Sequence, residues 1–376
     1  MAVMIREGYK RLGEYIEPVD ERNSTLSVKL SQGICNNKYF ITPRQVAENS
    51  ANDKIVRKGQ FAYNRATTRN GDKISIAYRE GDDCTVSSAY QVFRIIDENK
   101  LNPHYLWMWF RRPEFDRYAR FKSRGSAHEF FEWDEMCDVY LPVPDIDVQR
   151  RIVAEYQAVD NRIANNERLI SKLEETSQNV YDKYFGCISD SEELPVGWSI
   201  GKLSDIASYV KTKIDTDHLT CDTYISTENM LKDRGGITPA KVVPAGRCTE
   251  FHKGQILISN IRPYFKKIWM ATFDGGCSTD VLCLSTNEGY QPEFVYGAIV
   301  KDDFFDYVMA GSNGVKMPRG DKDWIMKYPV CVPSPAILED YNNKAKKILS
   351  YQKALMKENA TLLRLKQLLV AKISQQ

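Results

Sequence analysis

An α+β chain is the fold class this sequence predicts: two similar α/β halves joined by two long antiparallel, coiled-coil-like helices, in an internal pseudo-two-fold duplication. Three observations predict it. The chain matches itself at a shift near 190 residues. Each copy runs from a β-rich stretch into a short helical patch. Each copy then ends in a helix whose apolar seam repeats every seven residues.

The duplication rests on five anchors in constant order. RLGEYI at 11–16 resembles KLSDIA at 202–207, and GQFAYNRA from Gly59 resembles GQILISNI from Gly254. SSAYQVF at 87–93 matches STDVLCL at 278–284, Trp133 matches Trp324, and LPVP at 141–144 matches VCVP at 330–333. The period is far too long for a solenoid, and 376 residues are too many for one core, so whole domains are repeated.

Within each copy the β-rich stretch carries turn signals: RNGDK at 69–73 and EGDD at 80–83 in the first, DRGG at 233–236 and FDGG at 273–276 in the second. The helical patches are 103–120 and 292–309, followed by the Gly-containing loops 123–129 and 310–316. The expected divisions are 1–145 and 189–335 for the globular domains, with long helices over 146–188 and 336–376.

The first long helix has a seam of Ile152, Tyr156, Val159, Ile163, Asn166, Ile170, Leu173, Ser177, Val180 and Tyr184. The second has Leu338, Tyr341, Ala345, Ile348, Gln352, Leu355, Asn359, Leu362, Lys366, Leu369 and Ile373. Neither stripe can be buried alone, so the two helices are expected to pair antiparallel, with Asn166 and Asn359 setting register. Forty helical residues would span roughly 60 Å, between one and two turns of duplex DNA.

Composition excludes several classes. No run of about 18 apolar residues is present, and the start lacks the apolar stretch of a secretory signal, which points to a cytoplasmic protein. The nine cysteines are scattered without a Cys-x-x-Cys pair, and there are only four histidines, so free thiols are expected and no metal. Phosphate-binding glycine loops, a Gly-x-Ser-x-Gly elbow and the Asn/Asp-Pro-Pro-Tyr/Phe run of adenine methyltransferases are all missing. Asp145 and Asp147 read as favouring the N-terminal dipole of the first long helix rather than as a nuclease acid pair. No catalytic residues are therefore assigned.

Net charge is only +2, but cations are unevenly distributed: residues 54–124 hold fifteen Lys/Arg against eight Asp/Glu. Arg, Lys, Asn and Tyr on loops between rigid elements suit phosphate positioning and base reading. The candidate DNA-contacting residues are Arg65, Arg69, Lys73, Arg124, Ser126 and His128 in the first copy. In the second they are Arg262, Tyr264, Lys266, Lys267, Asn313, Lys316 and Arg319.

Of these, Arg262, Tyr264, Lys266 and Lys267 lie in a segment with a family resemblance. GQILISNIRPYFKKIWMATFDGGCSTDVLCL at 254–284 resembles the central motif of target-recognition domains in type I restriction–modification specificity subunits. VCVPSP at 330–335 and LPVPDIDVQRRIVAEY at 141–156 resemble that family's entry into its long helices. FAYNRATTRNGDKIS at 61–75 departs from the pattern, which implies that the two domains read different sequences. The resemblance implies a non-catalytic subunit that binds double-stranded DNA. Each domain would read half of a bipartite, asymmetric site, and the helices would set the spacer and dock two modification (methyltransferase) subunits, through which restriction subunits attach. S-adenosylmethionine, ATP and magnesium would belong to those partners, and none to this chain. The competing readings are an enzyme acting alone and a helical scaffold that binds protein partners rather than DNA.

Overall fold

The computed structural model describes residues 7–43, 50–67, 73–123, 129–186, 194–314 and 316–375. The chain divides into two compact units, residues 1–165 with 358–376, and residues 166–357. Each unit holds one globular copy and a part of each long helix.

In the first unit a four-stranded antiparallel sheet runs in the order Ile16–Val19, Tyr90–Ile95, Phe61–Asn64, Ile76–Tyr78. The apolar run at Phe61 is continuous because both faces of the sheet are covered. Phe61, Tyr63, Ile76 and Phe93 point into one core, while Ala62, Ala77 and Val92 point into another. The first core is closed by the helices Pro103–Phe110, Pro113–Lys122 and Trp133–Cys137. The Asn102 side chain accepts hydrogen bonds from the amides of His104 and Tyr105, and Pro103 opens the helix where no amide is needed. Val153 and Tyr156 from the first long helix and Ile373 beyond the second complete this core. Strand Tyr9–Arg11 pairs with Tyr140–Pro142 just before the first long helix begins.

The second unit repeats the plan. Its sheet runs Ala207–Tyr209, Val281–Thr286, Ile256–Ser259, Ile268–Met270, again antiparallel throughout. Ile256, Ile258, Ile268, Leu282 and Leu284 enter one core; Leu257, Trp269, Val281 and Cys283 enter the other. Helices Pro292–Ile299, Asp302–Ala310 and Lys322–Ile325 follow in the same places, and Ser199–Lys202 pairs with Pro329–Val332. A second sheet, Lys213–Asp215, Arg247–Phe251, Gly275–Cys277, Tyr224–Ile225, is more complete than the pair Lys54–Val56 with Cys84–Val86 in the first unit.

The long helices run Ile146–Phe185 and Pro335–Lys372. Within each unit their segments lie antiparallel. In the first, Arg162 makes two hydrogen bonds to Glu358, and Lys366 pairs with Asp160. In the second, Gln352 donates to Glu174 at 3.0 Å, and Tyr184 donates to Asp340.

Seam residues Tyr156, Ile163, Asn166, Leu338, Tyr341, Ala345, Gln352, Leu355 and Ile373 are buried, while Val159, Ile170, Leu173, Asn359, Leu362 and Leu369 are half-buried. At four places the more buried residue is one position past the heptad reading: Val153 for Ile152, Tyr181 for Val180, Phe185 for Tyr184 and Leu349 for Ile348. A straight helix turns about 3.6 residues per turn, so a strict seven-residue stripe drifts around it. Three of those four shifts sit near helix ends, where the partner is a globular core rather than the other helix: Val153 joins the first core, Tyr181 and Phe185 the second.

Candidate nucleic-acid interface

In the second unit the chain leaves strand Ile256–Ser259 and makes a 3-10 turn, Pro263–Phe265, before strand Ile268–Met270. Arg262 and Lys266 flank that turn, and both are left-handed, with φ of 51° and 49°. Asp233 and Arg234 are left-handed too, at 52° and 62°. Such backbone is costly for residues with a Cβ and persists where the surroundings hold it.

Here three segments hold one another. The Arg262 amide donates to Pro318 O (2.8 Å), and the Gly320 amide to Asn260 O (3.1 Å). Asn313 and Arg319 exchange backbone bonds of 2.9 Å in both directions. From the other side, the Asp233 amide donates to Phe265 O (2.9 Å) and the Arg234 amide to Lys266 O (3.0 Å).

The side chains form a basic, aromatic surface around Phe265. Lys232 Nζ lies 4.0 Å from the ring centroid, with Lys267 at 5.9 Å and Arg262 at 6.0 Å. Tyr264 meets the same ring edge-on at 4.6 Å and is 45% exposed. Lys267 turns inward and donates to Thr227 O at 2.6 Å; burial and then neighbouring Lys232 push its ammonium below the usual lysine range. Lys266 pairs with Asp302 (2.9 Å) and Arg319 with Asp280 (3.2 Å). Asn313 and Lys316 are exposed. Arg262 Nε is buried with no hydrogen-bond partner among the described residues. Forked donors, a tyrosine and an exposed amide on loops held by a rigid sheet can bind phosphate oxygens and base edges. Lys232 belongs to this arrangement and Arg234 braces it from behind, bonded to Val300 O and Asp302; both escape a reading of the sequence, where DRGG signals only a turn.

The first unit builds a related junction. Ala66 bridges Phe130, the Phe131 amide donates to Arg65 O, and the Thr67 amide donates to Glu129 O. Arg65 lies 6.0 Å over the Phe130 ring and 3.4 Å from Glu132. Lys73 is exposed. Arg69, Arg124, Ser126 and His128 lie outside the described residues.

The cation excess between 54 and 124 is offset by the fold. Lys54, Arg57, Arg65, Arg94, Arg120 and Lys122 pair with Asp20, Glu21, Glu132, Glu17, Glu129 and Glu135, acids that all lie outside that window. A window count of charge therefore overstates the local field.

Among the described residues no three His, Cys, Asp or Glu gather so as to hold a metal ion, and no helix is long and apolar enough to cross a membrane.

Comparison with known proteins bears on this arrangement. Residues 21–175 match the family model described as the type I restriction modification DNA specificity domain. The Escherichia coli type I restriction enzyme EcoDI specificity subunit is 23% identical over 317 residues, covering 72% of this chain and 68% of that protein. The S subunit of a type I restriction–modification system from M. genitalium has the same fold, with a TM-score of 0.62 at 13% identity, covering 99% of this chain and 96% of that one. By sequence the chain is similar to type I restriction–modification specificity subunits, over residues 21–175 to their DNA specificity domain, and by fold it is similar to a solved S subunit.

Proposed function

We propose that this chain reads DNA for a type I restriction–modification complex and performs no catalysis itself. Each globular copy reads one half of a bipartite, asymmetric site. The two long helices set the spacer between the halves and dock two methyltransferase subunits, through which restriction subunits join. S-adenosylmethionine, ATP and magnesium belong to those partners rather than to this chain.

One observation carries the reading: the loop 260–267 is braced on both sides, by 313–320 and by 233–234, so that the segments carrying Arg262, Tyr264, Lys316 and Arg319 are held together. Preorganised loops on a sheet reduce the ordering cost of binding. The deciding experiment is co-expression with an adenine methyltransferase subunit, followed by long-read mapping of methylated adenines. A stable complex that marks one two-part, asymmetric motif is expected. A purified chain that cleaves or methylates DNA alone would overturn the reading, as would a chain that shows no salt-dependent DNA affinity with or without its partner.

A further inference from the structure

Lys38 and Arg234 hold matching places that no alignment of the two copies reveals. Both are left-handed, with φ of 68° and 62°. Lys38 Nζ donates to Phe110 O at 2.5 Å, at the C-terminal end of helix Pro103–Phe110. Arg234 Nε donates to Val300 O at 2.6 Å, just past helix Pro292–Ile299. A cation at a helix C-terminus meets the unpaired carbonyls there. Each then pairs with an aspartate of the next helix, Lys38 with Asp116 at 2.7 Å and Arg234 with Asp302. Each also lies over a phenylalanine of that helix, Phe115 at 5.6 Å and Phe305 at 5.8 Å.

The aspartate binds the loop that carries the candidate DNA contacts. Asp116 accepts from the amide of Ile74, beside Lys73, at 3.2 Å. Asp302 accepts from Lys266 at 2.9 Å. The latching segment also bonds that loop directly: Ser75 donates to Asn36 at 2.9 Å, and the Arg234 amide donates to Lys266 O at 3.0 Å. The parts do not align. Asp116 is the fourth residue of helix Pro113–Lys122, whereas Asp302 is the first of helix Asp302–Ala310. The same device is thus assembled twice from different positions.

We propose that Lys38 and Arg234 are positioning residues, each latching the DNA-reading loop of its own unit onto that unit's helices without touching DNA. The proposal rests on the DNA-reading function above and deepens it. Arg234 is the better test, because its aspartate is largely exposed and Arg234→Met leaves no charge trapped in a core, whereas Lys38 and Asp116 are both buried.

The experiment compares the full chain with Arg234→Met and Arg234→Lys, alone and co-expressed with an adenine methyltransferase subunit. Amide hydrogen exchange is read first. In Arg234→Met the amides of residues 233 and 234 are expected to exchange at least tenfold faster, with strand Ile256–Ser259 unchanged, and Arg234→Lys is expected to restore protection, since the first unit uses lysine in this role. Enrichment from a randomised duplex pool is read second. Arg234→Met is expected to blur one half of the selected motif, keep the other, and leave the salt dependence of binding unaltered. Unchanged exchange at 233 and 234 would overturn the latch. So would a salt slope reduced by about one, which would mean that Arg234 contacts a phosphate. If the native chain selects no two-part motif, the DNA reading fails, and the exchange measurement still decides the latch.

Discussion

Gln149 stitches the start of the first long helix to its globular copy by hydrogen bonds. It is fully buried. Its Oε1 accepts from the Asn102 amide (2.8 Å), and its Nε2 donates to Lys100 O (2.9 Å) and Pro144 O (2.8 Å). Asn102 in turn caps helix Pro103–Phe110. Gln149→Met keeps the shape of the side chain and deletes all three bonds. At roughly 0.5–1.5 kcal/mol net for each bond, with buried partners left unsatisfied, the loss is about 3 kcal/mol. The amides of strands Phe61–Asn64 and Tyr90–Ile95 report opening of this unit without assuming that the whole chain unfolds in two states. Their exchange is expected to accelerate roughly a hundredfold. Arg150→Ala, which removes a neighbouring exposed pair with Asp147, is the control and is expected to change nothing measurable. If Gln149→Met exchanges within about threefold of the native chain, the hydrogen-bond reasoning is refuted.

Further outcomes follow from other sites. A Cβ on Gly297 would lie 2.3 Å from Tyr341 Oη and 2.7 Å from Tyr181, so Gly297→Ala should destabilise the second unit despite its better helix propensity. The net cost, overpacking of about 1–3 kcal/mol less about 1 kcal/mol of propensity, is up to about 2 kcal/mol, read by exchange of strand Val281–Thr286; a stabilised variant would contradict the packing. Burial pushes the thiol of Cys84 up to about 11 and that of Cys283 up to about 12, with Cys277 higher still. These thiols stay protonated at pH 8 and gain reactivity only as pH rises, so iodoacetamide should modify exposed Cys221 at least about tenfold faster. Comparable rates by mass spectrometry would refute that environment. Arg319→Ala is expected to lower the salt slope of DNA binding by about one, and an unchanged slope would remove Arg319 from the phosphate contacts. Inserting one heptad in each long helix should lengthen the methylated spacer and leave both half-sites intact; altered half-sites in methylation maps would contradict the division of labour.

Patterns with a local period were legible in the sequence alone. The order of β-rich stretch, helical patch and long helix and the paired helical stripes follow from repeats of two, 3.6 or seven residues or from short motifs, and the duplication from short motifs recurring in one order. Even there, the turn from Val180 and Tyr184 to Tyr181 and Phe185 needed the partner core to be in place. The candidate interface was legible by residue type in Arg262, Tyr264, Lys316 and Arg319. Which cations it leaves unpaired was not. Arg94 finds Glu17, Arg57 finds Glu21, Lys38 finds Asp116 and Arg234 finds Asp302, all across long stretches of chain. Ion pairing acts through space over a few ångströms, and only the folded path of the backbone decides which charges come that close.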